Sequence, residues 1–79
     1  MNKNEILKKL QEIFCDVLDN EEIQLTIETT AEDVEEWDSL TNIQLVVAIE
    51  HKFGIRFTSS EIPSWKNIGD MVTSIIKKV

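Results

Sequence analysis

The stretch from Leu40 to Phe53 carries apolar residues at helical spacing on two sides, and this pattern most limits how the chain can fold. At about 100° per residue, Leu40, Ile43 and Val47 fall within roughly 60° of one another. Leu45, Val46, Ile49 and Phe53 form a second stripe, centred roughly 140° away around the helix. A small domain can bury one stripe in its own core. The other then lies near the surface, beside Ser39, where it could meet a partner, unless the helix is central and buried on both sides. The expectation is that the Leu45/Val46/Ile49/Phe53 stripe is core and that Leu40, Ile43 and Val47 form a docking face. Asp38 suits the N-cap of this helix, which runs from about Ser39 to Lys52, and Gly54 suits the position just past its end.

The rest of the chain supplies partners for the inward stripe. From about Asn4 to Leu18, Ile6, Leu10, Ile13 and Val17 form one row, with Leu7, Phe14 and Leu18 beside it. That is a single amphipathic face, with Asn2 or Asn4 as cap and Asp19-Asn20 as its end. A last helix fits Ile68 to Lys77, capped by Asn67 with Asp70 in a capping-box-like place, and with Ile68, Met71, Val72, Ile75 and Ile76 inward. Between these lies a short turn begun by Ser59, Ser60 and Glu61, which Pro63 prevents from extending. Trp65 is expected to plug the end of the bundle.

Residues 19–38 form a long connection. Ile23, Leu25 and Ile27 alternate as a strand would, but no second alternating segment exists to pair with them. They are read as anchors that tie a solvated loop to the helices, with Val34 and Trp37 anchoring its far end. The sequence therefore predicts an all-α fold: a small right-handed-twisted four-helix bundle, three main helices plus one short one, with a long first loop. Its 79 residues make one domain, 1–79, near the lower size limit for a core without staples.

Charge narrows the function. The net charge is −7, unevenly spread. Residues 1–40 hold twelve acids and three lysines (−9), and residues 41–79 hold three acids and five bases (+2). With no base between Lys9 and Lys52, neither nucleic acid nor an anionic membrane is an expected partner. Enzymes with basic docking patches are, steered by the acids near Ser39, among them Glu35 and Glu36. One cysteine, Cys15, permits no internal disulfide and suits a reducing cytosol. No signal peptide or spanning run is present, so a soluble, cytoplasmic monomer is expected, with no membrane insertion.

Catalytic and metal constellations are missing from the sequence. There is no Cys/His cluster for zinc, and Glu32-Asp33-Val34-Glu35-Glu36 lacks the spaced oxygens and glycine of an EF-hand loop. Gly54 and Gly69 are isolated rather than part of a phosphate-cradling loop. His51, the only histidine, lies three helical turns from Ser39, so nothing nearby could deprotonate that hydroxyl for attack. Ser39 sits at the first turn of a helix, where free N–H groups and the macrodipole favour a phosphate. It reads as a serine that is modified, not one that catalyses.

The run Trp37-Asp38-Ser39-Leu40-Thr41-Asn42-Ile43-Gln44-Leu45-Val46-Val47-Ala48-Ile49-Glu50-His51-Lys52-Phe53-Gly54-Ile55 resembles the second helix of acyl and peptidyl carrier proteins. Ile68-Gly69-Asp70-Met71-Val72 is similar to the start of that family's last helix. The resemblance covers essentially the whole chain. It implies the same long first loop, and it implies that the serine of Asp38-Ser39-Leu40 carries a 4′-phosphopantetheine arm transferred from coenzyme A. The expected function is a non-catalytic carrier that holds an acyl or aminoacyl group as a thioester on the arm at Ser39. Its expected partners are a phosphopantetheinyl transferase, an acyl or aminoacyl ligase and acyl-processing enzymes. Glu36 and Trp37 replace the small residues usual before this motif, and Thr41, Asn42 and Gln44 replace acids along the second helix. These departures point to a specialised pathway rather than bulk fatty-acid synthesis. The alternative is an unmodified acidic helical module that binds partners through the same helix.

Overall fold

The structure, a computed structural model, describes residues 1–79. Three α-helices carry the fold: α1 (Lys3–Val17), α2 (Ser39–Phe53) and α3 (Ile68–Ile76). Two 310 turns, Ala31–Asp33 and Ile62–Ser64, interrupt the connections, and there is no strand. No helix is long and apolar enough to cross a membrane.

Each helix begins and ends where its side chains dictate. Asn2 caps α1 by accepting from the Glu5 N–H (2.9 Å), and Glu5 returns the contact to the Asn2 N–H, closing a capping box. The helix stops at Asp19, whose φ of 53° turns the chain left-handed, and the Asn20 N–H reaches back to the Cys15 carbonyl. Gly54 ends α2 the same way at φ 65°, a conformation that glycine adopts without strain.

α1 packs against both α2 and α3. Ile6, Leu10 and Phe14 of α1, Leu45 and Ile49 of α2, and Ile68, Met71 and Ile75 of α3 are fully buried in one cluster. The two stripes of α2 separate as expected. Leu45, Val46 and Ile49 are buried, whereas Leu40, Ile43 and Val47 are 70%, 63% and 60% exposed. Phe53 is only half-buried, at the edge of the core, because α2 ends there and the chain turns away at Gly54.

The long loop is held by four of its five expected anchors, Trp37 half-buried against the core among them, with one exception. Ile23, Leu25 and Val34 are buried against the core. Ile27 is not: its side chain is 56% exposed. A turn in which the Thr29 N–H bonds the Thr26 carbonyl (3.1 Å) reverses the chain there, so the alternation stops before Ile27. Ile27 instead contributes its backbone, accepting from the Gly69 N–H at 2.8 Å, while the Thr29 carbonyl accepts from Ile68 at 2.9 Å. Asn67 accepts from the Asp70 N–H (2.9 Å) and the Met71 N–H reaches the Asn67 carbonyl. All four leading donors of α3 are thereby satisfied. The Asp70 carboxylate reaches one residue further back than a capping box would, to the Lys66 N–H (2.9 Å).

Gln11 holds the other end of the loop. Its side-chain amide donates to the Ile23 carbonyl and accepts from the Leu25 N–H at 2.6 Å. That pairing satisfies two backbone groups of a segment that has no strand beside it. The fourth, short helix is a single 310 turn that contains Pro63 near its start instead of stopping before it. Proline's missing N–H is unneeded at that position.

Candidate functional site

Ser39 is the first residue of α2, and its neighbours satisfy every nearby donor but its own. Asp38 Oδ1 accepts from the Leu40 and Thr41 N–H groups, both at 2.9 Å. Thr41 Oγ1 accepts from the Asp38 N–H (2.9 Å) and donates to the Glu36 carbonyl (2.8 Å). The Asn42 N–H bonds the Asp38 carbonyl at 2.8 Å. Thus a threonine completes the capping box from the third helical position, where the usual residue is Glu or Gln. Ser39 is exposed, and neither its hydroxyl nor its N–H bonds another protein group. The hydroxyl points from a rigid helix start with one backbone donor spare beside it.

The capping bonds also fix charge here. The Thr41 N–H above all, with the Leu40 N–H and the Thr41 hydroxyl, holds the Asp38 carboxyl below the ordinary carboxylate range, against desolvation, which opposes it more strongly than either of the lesser bonds alone favours it. Asp38 is therefore ionised at neutral pH. Its second oxygen, Oδ2, takes no protein partner.

Aromatic side chains frame the serine. Trp37 stands edge-on to Phe14 (centroids 5.0 Å apart, 88°) and donates from Nε1 to Asn42 Oδ1 at 2.9 Å. Trp65 stands edge-on to Phe57 (4.7 Å, 83°) and donates to Ser74 Oγ at 2.8 Å. Both indoles, with Asn42 and Ile62, line an open recess of about 270 Å³ that includes Asp38 and Ser39. Trp65 packs at the serine's side of the fold rather than merely plugging an end, because the turn through Pro63 carries it there. Nothing local in the sequence marks that approach. It depends on Ser74, nine residues further on.

The other expected site residues divide between two places. Leu40, Ile43 and Val47 run down the exposed side of α2 from Ser39. Ile43 and Val47 continue into a groove of about 790 Å³ between α1 and α2. Glu35 and Glu36 lie elsewhere, on a polar recess of the loop that they share with Glu22, Glu28 and Asp33. Glu36 Oε2 accepts from the Asn20 side-chain amide at 2.7 Å, which fastens the loop before Ser39 to the end of α1. Sequence reasoning had no reason to place Glu12, Asp16 and Val17 of α1 opposite the exposed stripe of α2, where they form the groove's far wall. The only available signal was the i, i+4 spacing of Glu12 and Asp16.

Comparison with known proteins gives this geometry its context. Residues 8–75 match the family described as a phosphopantetheine attachment site. The acyl carrier protein of Acidothermus cellulolyticus is 36% identical over 95% of this chain and 89% of its own length. That of Thermosynechococcus vestitus is 34% identical over 100% of this chain and 98% of its own. The solution structure of holo acyl carrier protein from Geobacter metallireducens superposes with a TM-score of 0.87 at 40% identity, covering 92% of this chain and 84% of that one. An all-α fold built on three helices, a family match over most of its length and relatives of the same size leave one assignment: the chain belongs to the phosphopantetheine-attachment family of acyl carrier proteins, non-catalytic carriers whose cofactor is a covalently attached 4′-phosphopantetheine.

Proposed function

We propose that Ser39 is the residue that takes the 4′-phosphopantetheine arm, and that the chain, as a single domain of residues 1–79, carries an acyl or aminoacyl group on it as a thioester. The observation that carries this reading is the state of Ser39: an exposed, unbonded hydroxyl on the first turn of α2, with its own N–H free. A phosphodiester formed there gains the helix dipole and that donor. The cofactor supplies the thioester chemistry, and the protein supplies position. Ser39 holds the attachment point, Asp38 fixes the helix start and presents a negative charge beside it, and Leu40, Ile43 and Val47 offer apolar surface to the enzyme in attendance. Glu35 and Glu36 add long-range steering toward basic docking patches, an effect screened by salt.

The attending enzymes are a phosphopantetheinyl transferase, a ligase that charges the arm, and enzymes that process the cargo. We place the protein in the cytoplasm, as a monomer, in a specialised pathway. Support for the last point is the uncharged start of α2, where Thr41, Asn42 and Gln44 stand, and the pair of indoles beside Ser39.

Incubation with coenzyme A and a broad-specificity phosphopantetheinyl transferase, followed by intact mass, tests the assignment. The wild type should gain the mass of one arm. Ser39→Ala should gain nothing and keep its melting temperature, since Asp38 is the cap and the lost hydroxyl contributes well under about 1 kcal/mol. A gain on Ser39→Ala would move the attachment site. No gain on the wild type would favour the unmodified interaction module.

A further inference from the structure

The groove between α1 and α2 supplies what the start of α2 lacks. Any enzyme acting on Ser39 must cover the first turns of α2, and there it meets Leu40, Ile43 and Val47, each at least 60% exposed. Those turns carry no charge of their own, because Thr41, Asn42 and Gln44 occupy the polar positions. The loop acids line a different recess that shares no residue with the stripe. The acids that do share a cavity with Ile43 and Val47 come from α1: Glu12 and Asp16, both exposed, one turn apart on the facing wall.

We propose that an enzyme acting on Ser39 docks along this groove, laying an apolar ridge on Ile43 and Val47 and setting arginine or lysine side chains against Glu12 and Asp16. This rests on the reading of Ser39 as the attachment residue. Charge complementarity selects the occupant. A ridge flanked by bases is attracted to the α1 wall, whereas one flanked by acids is repelled there; Lys52 and His51, at the C-terminal end of the α2 wall, carry the opposite preference and confine the bases to the α1 side. Between the walls, Ile13 and Ala48 complete an apolar floor. The volume, about 790 Å³, suits several side chains of a protein surface. Docking of this kind makes α1 a recognition element for chemistry performed at the start of α2.

The test compares two double charge reversals with the same change in net charge. Glu12→Lys/Asp16→Lys alters the groove wall, and Glu22→Lys/Glu28→Lys alters the loop recess. All four side chains are exposed, and lysine suits the C-terminal half of α1, so folding is spared; thermal melts check this. The rate of arm transfer from coenzyme A is followed by intact mass at low salt with a broad-specificity transferase. The groove pair should lower kcat/KM roughly tenfold, mostly through KM, and the loop pair should stay within about twofold of wild type. Val47→Asp, on the opposite wall, should reproduce the groove phenotype. Equal losses for both pairs would mean that overall charge alone steers the encounter and would overturn the groove. Wild-type rates for the groove pair would overturn it as well, while leaving the attachment reading intact. A wild-type protein that never gains the arm would refute the attachment reading itself, and the groove proposal with it.

Discussion

Ile49 and Val47 lie two residues apart on α2, yet truncating them to alanine should have opposite consequences. Ile49 is 0% exposed within the central cluster, whereas Val47 is 60% exposed. Ile49→Ala deletes three buried carbons, a transfer loss of about 2.4 kcal/mol at about 0.8 kcal/mol each. The cavity left behind adds to this and brings the expected cost to roughly 3–4 kcal/mol. A domain of this length has roughly 4–12 kcal/mol in total. One kcal/mol moves the melting temperature of so small a domain by about 4–8 °C, so the variant should melt roughly 12–30 °C lower. Val47→Ala removes little buried surface and replaces a β-branched residue with the best helix former, so its melting temperature should hold or rise slightly. Thermal unfolding followed by circular dichroism separates the two variants, and arm transfer measured on each reports the docking face. If Val47→Ala melted as low as Ile49→Ala, the exposed stripe would in fact be packed, and the assignment of the two faces of α2 would fall.

Two further outcomes follow from bonds already described. The Asp38 carboxyl is held low chiefly by the Thr41 N–H, and that of Glu61 chiefly by the Thr58 N–H with Lys78 adding to it. Groups depressed in the folded state stabilise it above their unfolded pKa and lose that effect as pH falls through the folded value. The urea midpoint should therefore be flat from pH 7 to about 5 and fall below about 4, less steeply in Asp38→Asn, which still caps the helix; a midpoint that rose in acid would contradict this. Gly69→Ala places a Cβ 2.9 Å from the Ile27 carbonyl oxygen, a backbone atom that cannot swing aside. It should cost about 1–3 kcal/mol despite alanine's helix propensity, and an unchanged melting temperature would show that the loop yields freely there.

Local chemistry carried most of the fold. The rows of α1 and α3, the two stripes of α2 and the cap at Asp38 depend on residues within a few positions of one another, so spacing alone exposes them. Partners distant in sequence were not legible. Gln11 pairs with Ile23 and Leu25 across more than ten residues, and a half-buried glutamine in a helix has no signature of that role. Ile27 misled because alternation says nothing about where a turn reverses the chain. Trp65 reaches the serine only through the turn at Pro63 and a bond to Ser74. The attachment motif itself was legible because it is continuous in sequence. The groove beside it was not, since half its wall comes from another helix.

The seating of α3 on the loop has a kinetic consequence. With nine residues, α3 is shorter than the 12–15 or so that even favourable sequences need to hold a helix alone in water. Its first two amide hydrogens are bound by the Ile27 and Thr29 carbonyls, donated across a gap that spans all of α2. Helix and loop are therefore expected to open together, so that their amides exchange with solvent deuterium at one shared free energy. Residues 27–29 lead into the 310 turn and the approach to Ser39, so the two ends of this unit are the last helix and the path to the attachment serine. Fraying at one should then be felt at the other.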